Sequence, residues 1–65
     1  MKPAARVRLI EARKAKYRSA SAFARDMGVG RSTVTQWENG DRTPSVTTAA
    51  AIAKRLEKPM DYLFG

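Results

Sequence analysis

The sequence contains no cysteine and no histidine. Without cysteine there is no disulfide framework, and without both residues there is no zinc site built from them. The missing histidine also removes the usual general base for catalysis near neutral pH. The six acidic residues are scattered and form no convincing pair for acid–base catalysis. We therefore expect neither an enzyme nor a protein that holds a metal or another cofactor.

Long apolar runs are also missing. The longest apolar stretches are a few residues, whereas a membrane-spanning helix needs about 20. A signal peptide has an apolar run after its charged start, whereas here further charged residues follow within the first few positions, so no signal peptide is expected. Basic side chains near the start point in all directions on a helical wheel, which disfavours a membrane-surface helix. We expect a soluble, cytoplasmic chain with no membrane partner.

Acidic residues are few relative to basic ones. Thirteen Lys and Arg face six Asp and Glu, which gives a net charge of +7. Residues 1–18 hold seven basic groups and one acid, whereas residues 19–65 hold six and five. Such a basic domain is a candidate polyanion binder, although a solvated surface with a basic start remains the alternative. Because residues 19–65 carry only +1, recognition there must depend on where the charges lie.

Local signals divide the 65 residues into short helices within one small domain. Eleven alanines suit helices that approach closely. Capping serines, glycines and prolines predict a compact all-α domain of five helices with no strand. The predicted helices are residues 3–16, opened by Pro3; residues 20–27; residues 31–39; a fourth from the Ser45 cap to the Lys58-Pro59 break; and residues 60–64.

The faces of three predicted helices indicate which side is buried. Residues 20–27 carry an inner stripe of Ala20, Phe23, Ala24 and Met27, and the fourth helix carries one of Val46, Ala49, Ile52, Ala53 and Leu56. In residues 31–39, Val34 and Trp37 point to one side, with Glu38 at its edge. The opposite arc is polar and holds Arg31, Ser32, Thr35, Gln36 and Asn39. Three residues, 28–30, separate this helix from the preceding one, as in a helix-turn-helix unit.

The polar arc has side chains suited to DNA bases. Arginine donates two parallel hydrogen bonds to guanine, and glutamine pairs in the same way with adenine, so Arg31 and Gln36 are candidate base readers. Ser32 and Thr35 are short enough to bond a base edge or to let a methyl group approach. A merely solvated face is the alternative. The glycines at residues 28–30 do not form a nucleotide-binding loop, because the lysine, the spacing and the strand are missing.

Six segments carry a family resemblance in a single register from residue 11 onward. They are EARKAK (11–16), FAxxMGV (23–29), RSTVTQWENG (31–40), TPS (43–45), IAKxL (52–56) and DYL (61–63). This pattern resembles the helix-turn-helix domains of phage repressors and Cro proteins, which belong to the lambda repressor-like or XRE class. In that class the second helix of the unit enters the major groove.

The resemblance assigns roles to particular positions. It implies base reading by Arg31, Ser32 and Gln36, with Thr35 beside them, and an internal ion pair between Arg13 and Glu38. It implies contacts to the DNA backbone from Ser19, Ala20, Asn39, Arg42 and Thr43, and Thr33 is a further candidate. Tyr17-Arg18 stands where relatives often have a Gly-Leu turn, and Arg18 adds one more candidate phosphate contact. The resemblance also implies a dimer surface at the end of the chain, formed by Met60, Tyr62, Leu63 and Phe64; the alternative is that these residues, Leu63 among them, only close the core. Ala20 and Gly30 depart from the glutamine and the Ser/Thr cap that are common in relatives.

The function implied is that of a DNA-binding transcriptional regulator. We expect a single domain over residues 1–65, with the helix-turn-helix at about residues 20–39. It should act as a Cro/C1-like repressor that binds a palindromic operator on double-stranded DNA as a homodimer, without a small-molecule ligand. Two alternatives remain open: an antitoxin-like or coactivator-like domain that binds another protein, and a nonspecific architectural DNA binder.

Overall fold

The computed structural model describes residues 5–65, which form five α-helices and no strand. The helices are α1 (Val7–Lys16), α2 (Ala20–Met27), α3 (Arg31–Asn39), α4 (Val46–Leu56) and α5 (Met60–Phe64). None of these five helices is long and apolar enough to cross a membrane. The predicted all-α fold is confirmed. The start of the first helix is not, because α1 begins at Val7, and Pro3 lies outside the described residues.

Serine and glycine residues set the ends of the middle helices. The Ser19 hydroxyl accepts a hydrogen bond from the Ala22 N–H at 3.1 Å, and the Ser45 hydroxyl accepts one from the Thr48 N–H at 3.3 Å. Each bond satisfies an amide that has no partner inside its helix. Gly28 and Gly40 follow α2 and α3 with φ of 75° and 81°. This left-handed conformation favours glycine and ends both helices where the sequence predicts.

The core takes side chains from all five helices. Its buried members are Leu9, Ala12, Phe23, Ala24, Val34, Trp37, Ile52, Leu56 and Leu63. The predicted stripe of α2 is confirmed, since Ala20 and Met27 pack against this cluster. The stripe of α4 begins one turn later than predicted. Val46 is 77% exposed because it is the first residue of α4, and the buried side of that helix starts at Ala49.

The short helix α5 closes the core and decides between two predicted roles of Leu63. The sequence makes Leu63 a candidate both for the core and for a dimer surface, and it is only 3% exposed and packs inside the domain. Its apolar side chain is buried in the core of the domain, so it cannot contact a partner at the surface. Met60 and Phe64 are partly buried, and Tyr62 is 39% exposed. The surface of α5 is therefore smaller and less apolar than the sequence suggests.

A buried ion pair joins α1 to α3. The Arg13 Nε donates to Glu38 Oε2 at 2.8 Å, and a second guanidinium nitrogen donates to Oε1 at 3.4 Å. Only 9% and 11% of the two side chains are exposed. Removing one partner of a buried pair leaves a charge without compensation. The pair therefore fixes α3 against α1 at the edge of its buried face.

A second polar link joins α2 to α4 near the surface. Tyr17 packs its ring on Phe23, with 4.9 Å between ring centroids, and its hydroxyl donates to Asp26 Oδ2 at 2.6 Å. The Arg55 Nε donates to the same oxygen at 3.0 Å. These bonds lower the pKa of Asp26 below its ordinary value, first through Tyr17 and then through Arg55. The same hydrogen bond raises the pKa of the Tyr17 phenol.

We predict that Glu38→Ala destabilises the fold by about 3–5 kcal/mol, because it leaves Arg13 buried without its partner. Glu38→Gln, which retains one acceptor, should lose less. Thermal unfolding followed by circular dichroism measures both variants. Glu57→Gln is the control, since it breaks the exposed Lys16–Glu57 pair and should change the midpoint little. An unchanged midpoint for Glu38→Ala would contradict a structural role for the pair.

We also predict that acid destabilises the domain partly through Asp26. Its folded-state pKa lies below the ordinary value of 3.8. The unfolded chain therefore takes up a proton first as the pH falls, and the stabilisation is lost through the lowered pKa. Urea unfolding at pH 7 and pH 3 should show a smaller loss of stability in Asp26→Asn than in the parent. Part of the loss should persist, because Lys16 also lowers the pKa of Glu57. Equal losses in the two proteins would exclude this role for Asp26.

Candidate nucleic-acid interface

The buried face of α3 fixes which of its side chains reach solvent. Val34 is 0% exposed and Trp37 is 3% exposed, so this side of the helix is held in the core. At about 100° per residue, Ser32 and Thr35 lie on the side opposite Val34 and Trp37, and Arg31 lies at the edge of that exposed side. Trp37 is therefore a core residue, as the sequence predicts, and not an aromatic platform for bases.

Four exposed side chains of α3 lie together. Arg31, Ser32, Thr35 and Gln36 line one open depression of about 400 Å³, and we call these four residues the recognition arc. They offer a guanidinium, two hydroxyls and a carboxamide. The Thr35 hydroxyl donates to the Arg31 carbonyl at 3.1 Å, which leaves its oxygen free to accept. No group of three or more acidic side chains within residues 5–65 is placed to hold a metal ion.

The turn between α2 and α3 sets the angle at which the recognition arc is presented. Gly28 is needed for its backbone conformation, not for space, since a Cβ there would meet nothing within 4 Å. The Val29 N–H donates to the Ala24 carbonyl at 3.0 Å, and the Val29 side chain packs against the core. Gly30 precedes α3 without a side-chain cap. No side chain therefore caps the first-turn amides of α3, although the Thr33 N–H donates to the Gly30 carbonyl at 3.1 Å.

The predicted backbone-contacting residues fall at two helix ends. Arg18, Ser19 and Ala20 lie at the start of α2. Arg18 is exposed and Ala20 is half-buried. The Ser19 hydroxyl oxygen already accepts a hydrogen bond from the Ala22 N–H. The N-terminal amides of α2 and the positive end of its dipole are suited to an anion.

The other predicted contacts lie in α3 and just after it. Asn39, the last residue of α3, is exposed, as are Arg42 and Thr43 in the connection to α4. Thr33 is half-buried, and its N–H donates to the Gly30 carbonyl at 3.1 Å. Asn39, Arg42 and Thr43 therefore lie close together in the chain at the C-terminal end of α3, whereas Thr33 is the least accessible of the set.

Arg6 is the residue that the sequence patterns missed. One of its terminal nitrogens donates to the carbonyl oxygens of Trp37 and Arg42 at 2.7 and 2.9 Å. The other donates to the Thr43 hydroxyl at 2.8 Å. Its partners lie 31 to 37 residues away, so no local pattern or helical wheel signals this contact. On the sequence alone, Arg6 is one of several basic residues near the start.

The comparison with protein families decides what kind of domain this is. The family model described as Helix-turn-helix matches residues 9–63. The chain belongs to this family. The match covers all five helices except the first two residues of α1 and the last of α5, and it confirms the resemblance to lambda repressor-type domains. No curated protein and no solved structure matches the chain.

Membership gives the site its chemistry. Helix-turn-helix proteins of this family are DNA-binding regulators, so this helix-turn-helix domain binds double-stranded DNA. In such a unit the second helix is the one that enters the major groove. Here that helix is α3, whose outward side is the recognition arc.

Proposed function

We propose that this domain is a sequence-specific transcriptional repressor whose recognition arc reads base edges in the major groove. One observation carries the proposal: four polar side chains lie together and exposed on α3, while Val34 and Trp37 hold its opposite side in the core. A nonspecific binder needs basic groups but no such set of donors and acceptors, since phosphate contacts carry no sequence information. Residues 19–65 are nearly neutral, which supports recognition of bases through the placement of donors and acceptors and not through net charge.

The four residues have distinct roles in this proposal. Arg31 lies at the N-terminal end of α3, the end that points into the groove, and its fork matches guanine O6 and N7. Gln36 matches adenine N6 and N7. Ser32 and Thr35 contact base edges or the thymine methyl between them. Asn39, Arg42 and Thr43 bind phosphates beyond the C-terminal end of α3, and the start of α2 binds one on the other side. Phosphate contacts at both ends would fix the register of α3 in the groove.

We propose a symmetric dimer on a near-palindromic operator, because one recognition helix reaches only a few base edges. Related domains space their half-sites one helical turn apart, about 34 Å. With Leu63 in the core, the surface left for the partner on α5 is Met60, Tyr62 and Phe64. Two basic side chains lie against this surface: Arg8 Cζ is 5.0 Å and Lys58 Nζ is 5.4 Å from the centroid of the Tyr62 ring. Repression would follow from occupancy, since a dimer bound over a promoter occludes polymerase.

Selection of binding sites from a random duplex pool tests the proposal. An enriched motif with two-fold symmetry and half-sites about one turn apart supports specific reading by a dimer. Binding that falls steeply with salt but enriches no motif would indicate an architectural binder. If the chain retains no duplex at low salt, the domain has kept the fold for binding another protein, and the proposal is wrong.

We predict that Arg31→Ala weakens binding to the selected operator by about 1–3 kcal/mol and relaxes preference at one base position. The reason is the loss of two donors to a single base. Repeating the selection with the variant measures both effects. Arg25→Ala is the matched control, because Arg25 is exposed on α2 and lies outside the recognition arc. A variant that keeps the parent's preference at every position would refute base reading by Arg31.

We predict a different effect for Arg42→Ala. Loss of a phosphate contact should weaken all duplexes by a similar factor and leave the selected motif unchanged. The slope of log K against log salt should fall by about one unit, because one fewer counterion is released. Titrations of operator and random duplex at several salt concentrations measure this change. A loss confined to the operator would show that Arg42 reads sequence and does not grip the backbone.

A further inference from the structure

Arg6 contacts three other parts of the domain, all of them more than 30 residues away in the sequence. Its own N–H donates to the Glu38 carbonyl at 2.7 Å, and its guanidinium donates to the Trp37 carbonyl near the end of α3. The same group reaches Arg42 and Thr43 in the next connection, and it lies 5.4 Å above the ring of Phe64 in α5. The residue preceding α1 thus connects the C-terminal end of α3, the segment after it and α5.

The charge of Arg6 is not compensated by an acid. Within residues 5–65 the ion pairs are Arg13–Glu38, Lys16–Glu57 and Arg55–Asp26, so Arg6 bonds only to neutral oxygens. A cation at the C-terminal end of a helix is favourable because carbonyl dipoles accumulate there. The last turn of α3 has no basic residue of its own. Arg6 supplies that charge from outside the helix.

Residues 40–43, the segment that follows α3, are held at both ends by hydrogen bonds. The N–H groups of Asp41 and Arg42 donate to the Gln36 carbonyl at 3.0 and 3.2 Å. Further along, the Arg42 carbonyl and the Thr43 hydroxyl accept from Arg6. Gln36 belongs to the recognition arc, so these bonds connect the arc to Arg42 and Thr43, the proposed phosphate-binding residues. Beyond α3, the hydrogen bonds to the Arg42 carbonyl and the Thr43 hydroxyl come from the Arg6 guanidinium.

We propose that Arg6 is a positioning residue for DNA binding. It holds residues 40–43 so that Arg42 and Thr43 reach DNA phosphates while the recognition arc lies in the major groove. The role depends on the proposed function for its effect on DNA, but the order of the loop in the free protein does not. Three bonds at fixed angles need the planar fork of arginine. A lysine keeps the charge but offers a single nitrogen on a flexible stem.

The test compares Arg6→Lys with the parent in two ways. In the free protein, backbone ¹⁵N relaxation of residues 40–43 should show a clear loss of order in the variant. On random duplex, the affinity should fall about tenfold, and the salt slope should fall by about one unit although no charge is removed. Arg25→Lys, an exposed substitution of the same kind on α2, should change neither readout. Preserved loop order or an unchanged salt slope in Arg6→Lys would overturn the proposal.

A double-mutant cycle separates positioning from a general loss of stability. If Arg6 acts mainly through Arg42, adding Arg6→Lys to Arg42→Ala should weaken binding by clearly less than the tenfold expected in the parent, because the Arg42 contact is already gone and only that of Thr43 remains. An equal loss in both backgrounds would overturn the proposal. Circular dichroism establishes that each variant is folded at the assay temperature. Should Arg6→Lys unfold, Thr43→Val removes one bond of the fork and leaves the core intact, and the same loss of loop order is then expected.

Failure of this proposal is distinguishable from failure of the proposed function. If the parent retains no duplex, the proposed function is wrong, and the ¹⁵N relaxation of the free protein still decides the role of Arg6. Loss of order at residues 40–43 in Arg6→Lys then supports positioning, and retained order overturns it. If the parent binds and enriches a motif while Arg6→Lys behaves as the parent, the regulator stands and the positioning role falls.

Discussion

The rotation of α3 about its own axis is the constraint on which the rest of the structure depends. Burial of Val34 and Trp37 sets that rotation, and the pair between Arg13 and Glu38 fixes it at the edge of the buried face. Side chains on a helix keep fixed angular relations to one another. Once the inner side is held, the outer side can only be the recognition arc. The surface proposed to contact DNA is therefore decided by packing on the opposite side of the same helix.

Polar contacts at the rim of the small core fix how the helices meet. A domain of this size buries a modest share of its surface, so its core alone defines orientations weakly. Three polar groupings supplement it: the buried Arg13–Glu38 pair, the Tyr17–Asp26–Arg55 contact and the Arg6 fork. Each links elements distant in sequence. In this chain, many of the basic residues that suggest a polyanion binder also have structural partners.

Sequence patterns predicted what local physics controls. The caps at Ser19 and Ser45, the left-handed Gly28 and Gly40, and the inward side of α3 follow from neighbours within one or two turns. Arg13 and Glu38 are 25 positions apart, so no local pattern signals their contact. The family resemblance suggested it. The contacts of Arg6 and the exposure of Val46 escaped prediction, and Leu63 stayed open between the core and a dimer surface, for a common reason. Where a helix begins relative to the core, and what a side chain meets across the domain, depends on the assembled fold.

If the recognition arc contacts bases, an NMR titration of the ¹⁵N-labelled domain with its selected duplex will show it. We expect the side-chain resonances of Arg31 and Gln36 to shift strongly and to show cross peaks to base protons, while the Trp37 indole stays shielded in the core. Shifts confined to α1 and α5, with the side chains of α3 unperturbed, would contradict this expectation.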